Sequence, residues 1–230
     1  MSASLVLALD FPGAKEALPL ARQLKGVVPW MKVGLELFTA EGPRVIAELK
    51  DMGFKVFLDL KFHDIPNTVK GAAKSAASLG ADITTIHHAG GERMAKAALE
   101  GVLEANYPTR VFAISILTST SPEEAGFASA AEVTKAVAAK ALQAKTWGLP
   151  GIVCSGHEAA AVKAATGPDF LCLCPGIRLE DGGNDDQRRV MTPALAVKAG
   201  ADFLVMGRPI ARAADPRAAA LAALENMAKA

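Results

Sequence analysis

Short β-branched or apolar runs alternate along the chain with longer, alanine-rich segments of helical period. The runs LVLAL (5–9), WMKVG (30–34), KVFLDL (55–60) and DITTIH (82–87) read as strands, as do RVFAISI (110–116), GIVCS (151–155), FLCLC (170–174) and DFLVMG (202–207). Between them, EGPRVIAELKDMG (41–53), NTVKGAAKSAASLG (67–80) and EVTKAVAAKALQAKTWG (132–148) read as helices. Eight strand–helix units in 230 residues predict an α/β fold, a closed (β/α)8 (TIM) barrel forming one domain over 1–230. The competing architecture is an open doubly wound sheet, which usually carries fewer units.

In such a barrel, chemistry sits at the carboxyl ends of the strands. Read in order, those ends are Asp10, Lys32, Asp59 with Lys61, His87, Thr118, Ser155, Pro175-Gly176 and Gly207-Arg208. Most are polar, as expected of a substrate-lined mouth. Strand side chains alternate, so Asp59 and Lys61 share one face while Leu58 and Leu60 share the other. With the leucines on the helices, the charged pair faces the barrel axis, and Lys32 lies on the neighbouring strand. A Lys–Asp–Lys group keeps each member charged by mutual attraction, which opposes the cost of desolvation. Spacing alone leaves two readings open: a structural ion pair at a strand end, or a functional charge array.

Composition narrows the classes. The chain is 51% hydrophobic with a net charge of +1 and no basic block, which gives no surface for nucleic acid or for an acidic partner. Cys154, Cys172 and Cys174 lie in apolar runs. They read as reduced, buried thiols of a cytosolic protein, ahead of a metal site on Cys172-x-Cys174. The opening Met1-Ser2-Ala3-Ser4-Leu5 lacks the basic residues of a signal peptide, and no stretch approaches a membrane span. The expectation is a cytoplasmic globular protein without membrane or nucleic-acid partners.

Anions in barrels commonly bind between the loops after the seventh and eighth strands. Here those strands end in Pro175-Gly176-Ile177-Arg178 and Met206-Gly207-Arg208-Pro209-Ile210. Each offers a glycine for close backbone approach and an arginine for charge-assisted bonds, although solvated surface arginines are the common alternative. The intervening RLEDGGNDDQRRVMTP (178–193) is polar and long, consistent with a lid or with disorder. His87 and His88 read as hydrogen-bonded packing residues; without a third ligand at suitable spacing, a zinc site is rejected. No strand is followed by G-x-G-x-x-G and no P-loop motif occurs.

LALDFP (7–12), KVGLELF (32–38), FLDLKFHDIPNTV (57–69), LTST (117–120), PGIR (175–178), DQRRVMTP (186–193) and VMGRPI (205–210) together closely resemble the bacterial orotidine 5′-phosphate decarboxylases. The match runs in order over nearly the whole chain. Related sugar-phosphate barrels share the D-x-K-x-x-D core alone, whereas the extended DLKFHDIPNT with LTST and DQRR is far more specific.

The resemblance implies a cofactor-free, metal-free decarboxylation of orotidine 5′-monophosphate to UMP and CO2, the last step of de novo UMP synthesis, by a homodimer with shared active sites. Lys61 would donate a proton to C6 of the pyrimidine, Asp59 would stand beside the departing carboxylate, and Lys32 would bridge Asp59 and the ribose. Asp64 and Thr68 would enter the other subunit's site, completing a Lys–Asp–Lys–Asp array, with Ile65 among the substrate-binding residues. Asp10 would bind a ribose hydroxyl, Thr118 the amide edge of the base, and Gln187 both base and phosphate. Arg178, Gly207 and Arg208 would form the phosphate end; Phe62 and His63 receive no chemical role. Two other readings remain. One is a metal-dependent sugar-phosphate decarboxylase or aldolase with a carboxylate-rich mouth, and the other a non-catalytic nucleotide or sugar-phosphate binding protein.

Overall fold

Eight parallel strands pair in sequence order: β1 (Ser4–Ala8), β2 (Trp30–Gly34), β3 (Lys55–Phe62), β4 (Ile83–His87), β5 (Arg110–Ile114), β6 (Gly151–Val153), β7 (Leu171–Cys174) and β8 (Phe203–Met206). The eighth closes on the first, with Ser4 opposite Phe203 and Leu7 opposite Met206. The computed structural model describes residues 3–179 and 190–230. The helices are α1 (Ala14–Gln23), α2 (Leu35–Glu41), α3 (Arg44–Asp51), α4 (Pro66–Ser78), α5 (Gly91–Glu104), α6 (Ala130–Thr146), α7 (Gly156–Thr166), α8 (Pro193–Lys198), α9 (Arg208–Ala211) and α10 (Pro216–Met227). Among the described residues, no helix is long and apolar enough to cross a membrane.

The expected strands form within a few residues of their predicted bounds. The helix expected over 41–53 is shorter: α2 ends before Gly42, whose φ of +63° suits glycine, and Pro43 precedes α3. Ser155 and Glu158 cap α7 with a reciprocal capping box, which stops β6 from continuing through Ser155.

Alternation along the strands creates two cores. One lies between strands and helices and includes Leu5, Leu7, Met31, Val33, Leu58 and Ile86. The other fills the barrel and includes Val6, Ala8, Trp30, Phe57, Ile83, Phe112, Ile114, Val153, Leu173, Phe203 and Val205. Aromatic bulk sits low in this inner core. Trp30 and Phe112 meet Phe203 edge-on at 5.3 and 6.1 Å, and the Arg110 guanidinium lies 5.1 Å from the Phe203 ring centre. The amino end of the barrel is thereby plugged, and open space remains at the carboxyl end.

Candidate active site

The inner rows of the barrel continue into a cavity of about 490 Å³. On β1 the row Val6–Ala8 leads to Asp10, on β2 Trp30 leads to Lys32 and Gly34, and on β3 Phe57 leads to Asp59 and Lys61. Ile114, Val153, Leu173 and Val205 supply an apolar floor, while Thr118, Arg178, Gly207 and Arg208 also line the space. The two-residue period that puts apolar groups in the barrel core therefore also delivers the charged groups to its mouth.

Two ion pairs occupy that mouth. Lys61 Nζ donates to Asp59 Oδ2 at 2.7 Å, and Lys32 Nζ donates to Asp10 Oδ1 at 2.7 Å. Asp59 is 7% exposed and Lys32 9% exposed, so both rely on their partners to offset desolvation. The sequence suggested a Lys32–Asp59–Lys61 chain. In the structure Lys32 turns to Asp10 instead, because register places Lys32 opposite Ala8 on one side and Phe57 on the other, one layer below Asp59. Gly34, which faces Asp59, makes room for this pair: a Cβ there would lie 2.9 Å from Lys32 Nζ and 3.2 Å from Asp10 Oδ1.

Lys61 is held in an unusual backbone conformation. Its φ is +52°, in the left-handed region that non-glycine residues seldom adopt. The β3–β4 register breaks between Leu58 and Phe62, so the strand bulges where its lysine enters the mouth. Thr85, on the inner row of β4, bonds across this bulge. Its hydroxyl accepts from the Lys61 amide at 3.0 Å and donates to Asp59 Oδ1 at 2.9 Å. Sequence reasoning missed Thr85. The strand run was recognised, but only the pairing register reveals which threonine reaches Asp59.

His87, next on the same row, lies with its ring centre 5.4 Å from that of His63. Burial lowers its pKa, with the His63 and Lys61 charges adding to the effect against Asp59. His88 turns the other way and stacks on Trp147 at 4.6 Å. Cys154, Cys172 and Cys174 are free and buried, and a Cys154 hydrogen bond together with burial pushes the Cys172 thiol far up. Among the described residues, no group of three or more His, Cys, Asp and Glu is arranged to hold a metal ion.

Asp64, Ile65 and Thr68 stand apart from the cavity. All three are exposed, and Asp64 Oδ1 accepts from the Ile65 amide. Gln187 and most of the 178–193 loop lie outside the described residues. The ends of that loop are joined: Arg178 N–H donates to the Met191 carbonyl at 3.0 Å, and Ile177 bridges Met191 in parallel. Arg178 is thereby fixed at the cavity wall.

A closed parallel barrel with ionic side chains gathered at the carboxyl ends of its strands is the architecture of a barrel enzyme. The chain belongs to the orotidine 5′-phosphate decarboxylase / HUMPS family, whose model matches residues 3–223. An orotidine 5′-phosphate decarboxylase of Nitratidesulfovibrio vulgaris (strain DP4) is 54% identical over 231 residues, 98% of each chain. That of Maridesulfovibrio salexigens is 52% identical over 219 residues, covering 94% of this chain and 95% of its own. The crystal structure of orotidine 5′-phosphate decarboxylase from Lactobacillus acidophilus superposes with a TM-score of 0.84 at 35% identity, covering 98% of this chain and 99% of that one. Family and relatives make this chain a carbon–carbon lyase of the carboxy-lyase type.

Proposed function

We propose that this chain converts orotidine 5′-monophosphate to UMP and CO2 in pyrimidine nucleotide synthesis, without a cofactor, and that Lys61 protonates the product carbon. The family match and the names of the relatives support the reaction. The observation that carries the mechanism is the Lys61–Asp59 pair at 2.7 Å, bordering the cavity and fixed by a bulged strand. When the C6–carboxylate bond breaks, its electron pair stays on C6 in an in-plane sp² orbital that cannot delocalise into the ring. Stabilisation must therefore come from charge already in place, and an ammonium aimed at C6 provides it in a largely apolar cavity. The Nζ proton then moves to C6, CO2 departs, and the neutral amine recovers a proton from solvent.

Asp59, beside the substrate carboxylate, holds the Lys61 ammonium in place. Lys32 and Asp10, already paired, suit the ribose hydroxyls, and Thr118 suits the amide edge of the base. Arg178, Gly207 and Arg208 form the phosphate end, with Gln187 spanning base and phosphate. Phosphate lies far from the reacting carbon, so its binding energy serves orientation. Asp64, Ile65 and Thr68, exposed and remote from their own chain's cavity, serve the site of a second subunit in a cytoplasmic homodimer.

A metal-dependent reaction would want free carboxylates at the mouth, yet Asp10 and Asp59 are each paired with a lysine. The deciding assay follows CO2 and UMP release from orotidine 5′-monophosphate with EDTA present. Equimolar products at an undiminished rate are expected. Loss of activity in EDTA with recovery in Mg²⁺ would favour the metal-dependent reading, and binding without turnover would favour a nucleotide-binding protein.

A further inference from the structure

Thr85 is completely buried, and its single hydroxyl serves two groups of the site. The chemistry fixes the direction of both bonds. The Lys61 amide can only donate and an ionised Asp59 can only accept, so the one hydroxyl proton must point to Asp59. With the Lys61–Asp59 ion pair, the bonds close a ring: Lys61 N–H to Thr85 Oγ1, Thr85 Oγ1–H to Asp59 Oδ1, and Lys61 Nζ–H to Asp59 Oδ2. Both ends of Lys61 are thus tied to one carboxylate, the ammonium directly and the amide through the Thr85 hydroxyl.

This ring sits where the ladder fails. The break in register between Leu58 and Phe62 deprives the Lys61 amide of a strand partner, and its φ of +52° is one that side-chain-bearing residues adopt only at a cost. Such a conformation persists only where its surroundings hold it. The neighbouring Thr84 offers an internal contrast: its hydroxyl donates to the Leu58 carbonyl at 3.1 Å and meets no group of the cavity. Two adjacent buried threonines on one strand therefore face different tasks, one on each side of the sheet.

We infer that Thr85 is a positioning residue for the reaction: it holds the bulge that aims Lys61 and fixes the plane of the Asp59 carboxylate. The inference rests on the proposed role of Lys61 as proton donor. A valine at this position matches the shape of threonine but removes the Thr85 partner of the half-buried Lys61 amide and of a buried Asp59 oxygen. Lys61 then relaxes toward negative φ, and Nζ moves relative to C6. A displacement of about 1 Å at reacting atoms can cost about a hundredfold in rate.

The test compares Thr85→Val, Thr85→Ser, Thr84→Val and Lys61→Ala by kcat for decarboxylation, by UMP affinity and by urea unfolding. Thr85→Val should lower kcat by about a hundredfold while UMP affinity stays within about threefold, since the phosphate and base contacts are elsewhere. Thr85→Ser, which restores the hydroxyl, should recover most of the rate. Thr84→Val should lose stability but keep its kcat. An unchanged kcat in Thr85→Val, or no recovery in Thr85→Ser, would overturn the inference. So would an equal loss of kcat in Thr84→Val, which would mean that loosening β4 in general is enough. A dead Lys61→Ala with a full-rate Thr85→Val would remove Thr85 alone, whereas turnover persisting in Lys61→Ala would overturn the donor assignment and the positioning role together.

Discussion

Arg208 follows the end of β8 and borders the same cavity as Lys61, which belongs to β3. If it grips phosphate, its removal should weaken binding without touching the chemistry at C6. A charge-assisted contact is worth roughly 1.5–3 kcal/mol, so Arg208→Ala should lower kcat/KM for orotidine 5′-monophosphate and the affinity for UMP by about ten- to a hundredfold or slightly more. Orotidine, which lacks the phosphate, should be turned over equally by both proteins; an equal loss on both substrates would make Arg208 a support of the fold. Residue-scale information was partly legible in the chain. Asp59 and Lys61 were readable because alternation is local, and Leu58 and Leu60 do pack outward as that alternation requires. The Lys32–Asp10 pair and the Thr85 bonds were not, because each joins two strands whose relative register no short stretch of sequence contains.

At the scale of elements, the loop after β4 and helix α6 are coupled through His88. Its ring stacks on Trp147, just beyond α6, and its Nε2 is buried with no partner among the described residues. Burial, reinforced by the Lys140 charge and opposed by a Gln143 hydrogen bond, lowers its pKa from 6.5 to about 4. The unfolded chain therefore takes up this proton first as pH falls. Stability should drop through the window from pH 6.5 to about 4, with no further contribution from this group below it. Urea midpoints across that window should fall steeply in the wild type and less steeply in His88→Phe, which keeps the stack; identical slopes would remove His88 as the cause. Strand and helix types were legible because each has its own hydrophobic period. Element ends were less so: Gly42-Pro43 splits the region of α2 and α3, and the bulge carries β3 two residues past its expected end at residue 60.

At the scale of the whole molecule, eight alternating units were enough to anticipate a closed barrel, because each parallel strand needs a covering crossover. What lies beyond one chain was legible only through resemblance to a family. Ile65 is 66% exposed and lies outside the residues that line its own chain's cavity. In the proposed mechanism, decarboxylation depends on a charge array built from Lys61 of one subunit and Asp64 of another. Lys61→Ala and Asp64→Ala homodimers should each be nearly inactive. Co-expression of differently tagged chains gives mixed dimers in which one site carries both lesions and the other carries neither. Random association makes about half the dimers mixed, so the decarboxylation rate should recover to roughly a quarter of the wild-type value. Confirmed mixed dimers no more active than either parent would contradict the account.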